Sequence, residues 1–200
     1  MKLLLASSNP GKLFEYLEMA RGAGIEMNLL PNFDDFPVFE ESAPTFAENA
    51  VGKALHYSRL VNETVLADDS GLVVAALGGQ PGVHSARYAG PGASDADRVQ
   101  KLLRETAALE GDERRACFVC IIALANKGRA MAVVSDLAAG VITKAPRGRG
   151  GFGYDPVFLF EELGQTFAEL TPEEKAHYSH RGRAFKKLLY VISSSTAATF

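Results

Sequence analysis

Asp68 and Asp69 stand side by side in Ala67-Asp68-Asp69-Ser70-Gly71-Leu72, at the point where one apolar run stops and another begins. Thr64 to Ala67 and Leu72 to Leu77 both read as strand, which predicts that the acidic pair sits on the turn between them. Asp, Ser and Gly are ordinary turn formers, so a solvated hairpin turn is one reading of these residues. Electrostatics supplies the other. Adjacent like charges repel, and a chain separates them unless a cation or solvent stands between, a place that a divalent metal would fill.

With 200 residues, 47% of them hydrophobic, the chain has the area to form one large domain, or two lobes sharing a core. No linker divides it into independent domains, so residues 1–200 read as a single domain, with a frayed polar tail over 193–200. A formal charge of −3 argues against nucleic acid as a partner, because sequence-independent binding needs a broad basic face. Any phosphate site must be local. The start, Met1-Lys2-Leu3-Leu4-Leu5, is too short an apolar run for a signal peptide, and no stretch approaches the ~20 apolar residues of a membrane span. A cytoplasmic protein without a membrane partner is expected. Cys117 and Cys120 have C-x-x-C spacing but lie in a buried-strand pattern, where positions three apart face opposite ways. Core packing is the reading for both.

Along the chain, Leu3 to Ala6 is a short strand, followed by Ser7-Ser8-Asn9-Pro10-Gly11-Lys12 and a helical pattern through Leu13, Leu17 and Ala20. Asn9 suits the N-cap and Pro10 the first helical position. A strand, a small-residue loop and a helix N-terminus make an anion site, to which Lys12 adds a full charge. It is not a Walker A loop, because Ala6 and Leu13 occupy places that need Gly and Ser or Thr. Ile25 to Leu30 reads as a second strand. Thr45-Phe46-Ala47-Glu48 reads as a capping box opening a helix with Phe46, Ala50, Ala54 and Leu55 inward, and Asn49, Lys53 and His56 on another side.

After the acidic stretch comes a Gly- and Pro-rich loop, Gly78 to Tyr88, whose length suits function. Ser94 and Asp97 cap a helix with Val99, Leu102 and Leu103 inward. Arg115 to Ala125 and Ala130 to Ser135 read as a hairpin, with Val141-Ile142-Thr143 as a further strand. Arg147-Gly148-Arg149-Gly150-Gly151-Phe152-Gly153-Tyr154-Asp155-Pro156 reads as a ligand loop. Its glycines permit close backbone approach, its arginines supply charge, and Phe152 and Tyr154 offer flat faces for a base. Thr171-Pro172-Glu173-Glu174 starts a short helix carrying Lys175, and Ser179-His180-Arg181-Gly182 begins the last one.

Five of these stretches, in the same order, resemble the motifs of the inosine triphosphate pyrophosphatase family, hydrolases of aberrant purine nucleoside triphosphates. Ser7 to Lys12 match T-G-N-x-x-K with Ser for Thr and Ser8 for Gly; Thr45 to Ala50 with Lys53 match T-F-x-E-N-A and its later lysine. Ala67 to Leu72, Gly150 to Pro156 and Ser179 to Gly182 match A-D-D-S-G-L, G-G-F-G-Y-D-P and S-H-R-G in full. The resemblance spans Leu3 to about Leu189.

It implies an elongated mixed α/β fold of two lobes, with a nucleotide cleft between them, and a homodimer. By motif, Ser7, Ser8, Asn9, Pro10, Gly11 and Lys12 would bind the triphosphate together with Lys53. Glu41 and Asp69 would hold Mg2+, with Glu40 and Asp68 as alternatives, and Asp69 would activate water. Ser70 and Phe152, Gly153, Tyr154 and Asp155 would hold the nucleotide, with Lys175, His180 and Arg181 around the base. The implied reaction is hydrolysis of ITP, dITP or XTP to the monophosphate and pyrophosphate. A Maf-like pyrophosphatase acting on other modified nucleotides is the alternative. A binding protein without chemistry would be expected to lose the acidic pair, and a haloacid-dehalogenase-type phosphatase needs D-x-D rather than adjacent aspartates.

Overall fold

A computed structural model describes residues 1–197. Its sheet has strands β1 (Lys2–Leu5), β2 (Glu26–Leu29), β3 (Thr64–Val74), β4 (Arg115–Asn126), β5 (Arg129–Ile142), β6 (Phe158–Phe160) and β7 (Gln165–Thr166). The order across the sheet is β2-β1-β3-β4-β5-β6-β7; β1 is parallel to β2 and β3, and β6 is antiparallel to β5 and β7. The helices are α1 (Pro10–Arg21), α2 (Phe46–Ser58), α3 (Asp95–Glu105), α4 (Pro172–Tyr178) and α5 (His180–Ala197). This is the mixed α/β fold that the sequence predicts.

The chain divides into two compact units, one of Met1–Asp69, Cys120–Asp136 and the residues from Arg181, the other of Ser70–Val119 and Leu137–His180. In the first unit, strand alternation sorts the side chains onto two faces. Leu3, Leu5, Leu66, Cys120 and Ile122 pack with Tyr16 of α1 and Phe185 and Leu188 of α5. Leu4, Ala6, Val65, Ala67 and Ala123 pack with Ala50, Ala54 and Tyr57 of α2. The parallel strands are thus covered on both faces, as their near-continuous apolar runs require. The second unit has its own core, in which Leu72, Val74 and Leu102 meet Phe118, Phe158 and Phe167.

Two expectations are corrected. The acidic pair does not lie on a turn, because β3 runs unbroken from Thr64 to Val74. Turn propensity yields to tertiary partners, since both carboxylates are buried against side chains from other elements. Val141 and Ile142 are not a separate strand but the end of β5, where they pair with Leu159 and Phe158 of β6. Of the frayed tail expected over 193–200, Ser193 lies within α5, which runs to Ala197, and its hydroxyl donates to the Tyr190 carbonyl. Residues 198–200, the rest of that expected tail, lie outside the described residues. Cys120 packs in the core of the first unit as expected, whereas Cys117 is only half-buried; both are free thiols.

Candidate active site

Adjacent residues on a strand point to opposite faces, and β3 uses this to part its two carboxylates. Asp68 shares its face with Leu66, toward α1 and α5; Asp69 shares its face with Val65 and Ala67, toward α2.

On the first face Asp68 is fully buried. Its Oδ1 lies 2.6 Å from Lys12 Nζ, and its Oδ2 accepts from Arg181 Nε at 3.0 Å. Arg181 Nη1 donates in turn to Glu15 Oε2 at 2.6 Å. Burial pushes the Asp68 carboxyl up, but the charges of Lys12, Arg181 and Lys53 outweigh it and hold the group well below the usual range. The backbone carbonyl of Asp68 also accepts from Lys53 Nζ at 2.8 Å. One aspartate therefore fixes both lysines that the motifs single out.

On the other face Asp69 is also buried, and its Oδ2 accepts from Asn49 Nδ2 at 3.0 Å. Its carboxyl is raised by burial and by the nearby Glu41 charge, against the pull of Lys12, the Asn49 hydrogen bond and Lys53. Lys53 Nζ also donates to Glu41, so it stands between that carboxylate and the Asp68 carbonyl. The Lys53 side chain is buried, not solvated. Glu41 is half-buried and Glu40 exposed, which favours Glu41 as the partner of Asp69.

At the start of α1, Asn9 Oδ1 accepts from Lys12 N at 3.1 Å and Ser7 Oγ accepts from Asn9 N at 3.2 Å, so the loop is tied by its own side chains. Pro10 occupies the first helical turn, with Gly11 after it. Ser8 is exposed and needs none of glycine's freedom, because the positive-φ non-glycine positions among the described residues are Asn32 and Lys127.

The second unit gathers a different cluster. Asp155 is buried; its Oδ2 accepts from Phe152 N at 2.7 Å and from Lys175 Nζ. Lys175 Nζ lies 4.9 Å from the Phe152 ring centroid, a cation–π contact. Gly153 N donates to Asp95 Oδ2 at 2.7 Å, and Ser70 is half-buried on β3. His180 is buried and stacks on Phe118, with centroids 4.6 Å apart and planes 8° from parallel.

One sequence-based role changes here. Tyr154 does not offer a face to a base: it is a core residue, 4% exposed, whose hydroxyl donates to the Ser85 carbonyl at 2.9 Å. Arg181 is buried, with its Nε on Asp68 and its Nη1 on Glu15. Asp68, in turn, leaves β3 on the face away from Asp69 and is paired with the Lys12 and Arg181 cations. The sequence does not mark Asn49 as a contact of Asp69 or Glu15 as a contact of Arg181: helical spacing gives Asn49 a side of α2 but does not reveal what it touches.

The sequence profile of the Ham1 family matches residues 3–191. The chain belongs to the Ham1 family. It is 51% identical to the dITP/XTP pyrophosphatase of Geobacillus kaustophilus over 187 residues, covering 94% of this chain and 92% of that one. It is also 51% identical to the dITP/XTP pyrophosphatase of Gloeobacter violaceus, over 97% of this chain and 95% of the relative. Among solved structures, a HAM1 protein from Coxiella burnetii superposes with a TM-score of 0.85 at 41% identity, covering 97% of this chain and 99% of its own. These matches give the motif resemblance its whole-chain support.

The acidic face of this Ham1 chain suits a hard divalent cation. Asp69 and Glu41 supply carboxylate oxygens close enough for one charge to raise the other's pKa. Among the described residues no group of three or more His, Cys, Asp or Glu side chains gathers as a metal cage. Magnesium needs none, because it is held by one or two carboxylates and completed by substrate phosphates and water.

Proposed function

We propose that the protein hydrolyses the α–β phosphoanhydride of inosine, deoxyinosine or xanthosine triphosphate, releasing the monophosphate and pyrophosphate. The observation that carries this reading is the division of labour on β3: Asp68 anchors the lysines, while Asp69, with a raised carboxyl, faces Glu41. The dITP/XTP pyrophosphatases among its relatives bear the same activity in their names.

Lys12 and Lys53 take the negative charge of the phosphates, helped by the backbone N–H groups of the Ser7–Lys12 loop and the α1 dipole. Asp69 accepts the proton of the attacking water, a task suited to a carboxyl raised toward working pH. Glu41 and Asp69 hold magnesium, which when bound neutralises charge on the phosphate oxygens. Ser70, Phe152, Gly153, Asp155, Lys175 and His180 are assigned to the nucleoside; Tyr154 shapes their loop from the core, and Arg181 acts through Asp68. The working form is a cytoplasmic homodimer whose partners are small nucleotides rather than nucleic acid. Among the described residues no helix is long and apolar enough to cross a membrane.

Phosphorus NMR of the products from a panel of nucleoside triphosphates tests the reaction. Pyrophosphate and monophosphate should appear from ITP, dITP and XTP, with little turnover of ATP. Release of free phosphate without an added pyrophosphatase would reject the assignment.

A further inference from the structure

The segment from Phe33 to Ala43, which carries Glu41, is strapped along α2 in reverse order. Phe33 and Phe36 pack on Tyr57, with ring centroids 4.9 and 6.5 Å away. The Pro37 carbonyl meets His56 Nε2 at 2.8 Å, and Phe39 N donates to Tyr57 Oη at 3.3 Å. The Phe39 ring sits over Gly52, where a Cβ would stand 2.6 Å from its Cζ. Glu41 then meets Lys53, and Ala43 meets Asn49.

At this last point the strap is joined to β3. Asn49 is fully buried; its Oδ1 accepts from Ala43 N at 3.0 Å and its Nδ2 donates to Ala43 O at 3.3 Å. Gripping the N–H and the C=O of one residue with both amide atoms fixes which end of the side chain faces which way. The same Nδ2 reaches Asp69 Oδ2 at 3.0 Å. A carboxylate base oriented by a third group is a recurring arrangement in hydrolytic sites.

We propose that Asn49 is the positioning residue of this site, holding the Asp69 carboxylate and the Glu41-bearing strap in one fixed relation. The inference rests on the roles given above to Asp69 and Glu41. An Asn49→Ala variant keeps Lys12 and Lys53, so binding of the phosphates should survive while the geometry of water activation does not. Its kcat on dITP should fall by ~10–100-fold, with KM within ~threefold, the split expected when a transition-state interaction is lost. Calorimetric titration of the nucleotide-free enzyme with magnesium should show weaker binding in the same variant. A folded Asn49→Ala enzyme with wild-type kcat and wild-type magnesium affinity overturns the proposal.

Gly52→Ala provides the decision should Asn49→Ala fail to fold. Alanine's better helix propensity, ~1 kcal/mol, offsets part of the overpacking cost, so the variant should fold with at most a modest fall in Tm. The added methyl nevertheless drives Phe39, and with it Glu41, off α2, and kcat and magnesium affinity should both fall. A stable Gly52→Ala with both unchanged counts against the strap. The magnesium titration also separates this inference from the proposed activity: a wild type that turns over no aberrant purine triphosphate, yet loses magnesium in Asn49→Ala, sinks the activity and supports the positioning role.

Discussion

Asp68 and Asp69 are chemically identical and differ in which face of β3 they leave, so the same substitution separates their roles. Asp68→Asn strips the counter-charge from Lys12 and Arg181, and breaking a buried pair on one side costs ~3–5 kcal/mol. Because the folded Asp68 carboxyl lies below its ordinary 3.8, its contribution to stability is complete above that value and is lost as pH falls toward the folded value. The gap in urea midpoint between wild type and Asp68→Asn should therefore stay constant near neutrality and narrow below the ordinary carboxylate range. A gap that widens in acid would reverse the sign of this shift. Asp69 is raised, so its ionisation opposes folding at neutral pH. Asp69→Asn should leave the midpoint equal or higher while kcat drops ~10²–10⁴-fold, the usual cost of losing a positioned base. Activity within a few-fold of wild type, in a folded variant, would place the base elsewhere.

At the scale of elements, α1 and α2 each deliver one lysine to Asp68, from opposite faces of β3: Lys12 to its carboxylate and Lys53 to its carbonyl. Their contacts are to charge rather than to a base edge. Lys12→Ala and Lys53→Ala should each raise KM for every nucleoside triphosphate by a similar factor, leaving the preference among bases unchanged; selective loss of inosine nucleotides would contradict this placement. The loop over 147–156 behaves differently from a bare ligand loop. Gly148 has φ +81°, and a Cβ there would collide with the backbone of Ala168. A Cβ at Gly151, which has φ +68°, would likewise collide with the Asp155 carboxylate. These glycines serve the loop's own packing, so Gly148→Ala should lower the Tm of the ligand-free protein, with strain of order ~1–3 kcal/mol. An unchanged Tm with weakened nucleotide binding would return the glycine to the ligand.

For the whole molecule, β5 is the strand whose apolar side chains are least covered. Met131, Val133 and Leu137 are 57%, 49% and 49% exposed, and their i, i+2 spacing puts Met131 and Val133 on one face. An exposed apolar row on a strand fits contact with a second copy. The homodimer we propose would use this row, so Val133→Asp should shift sedimentation from dimer to monomer in analytical ultracentrifugation, with Tm of the monomer little changed. A dimer that survives this substitution places the interface on another surface.

The sequence by itself determined the elements that local chemistry dictates. Asn9 and Pro10 open α1, Ser94 with Asp97 and Thr171 with Glu174 close capping boxes at α3 and α4, and the apolar runs of β1 and β4 are strands. It also carried the family, because five motifs fall in register along one chain. What it could not contain was direction. Asp-Asp-Ser-Gly has the composition of a turn, and the partners that hold it as strand come from far along the chain: Lys12, Asn49 and Arg181. Tyr154 carries a ring suited to a base, yet burial beside Ser85 commits it inward, and no local pattern shows that Arg181 pairs with Asp68. Spacing on a strand or helix states which residues share a face; which face meets a carboxylate, a core or a ligand is decided when distant elements pack, because the energy of a buried charge depends on partners that no local pattern names.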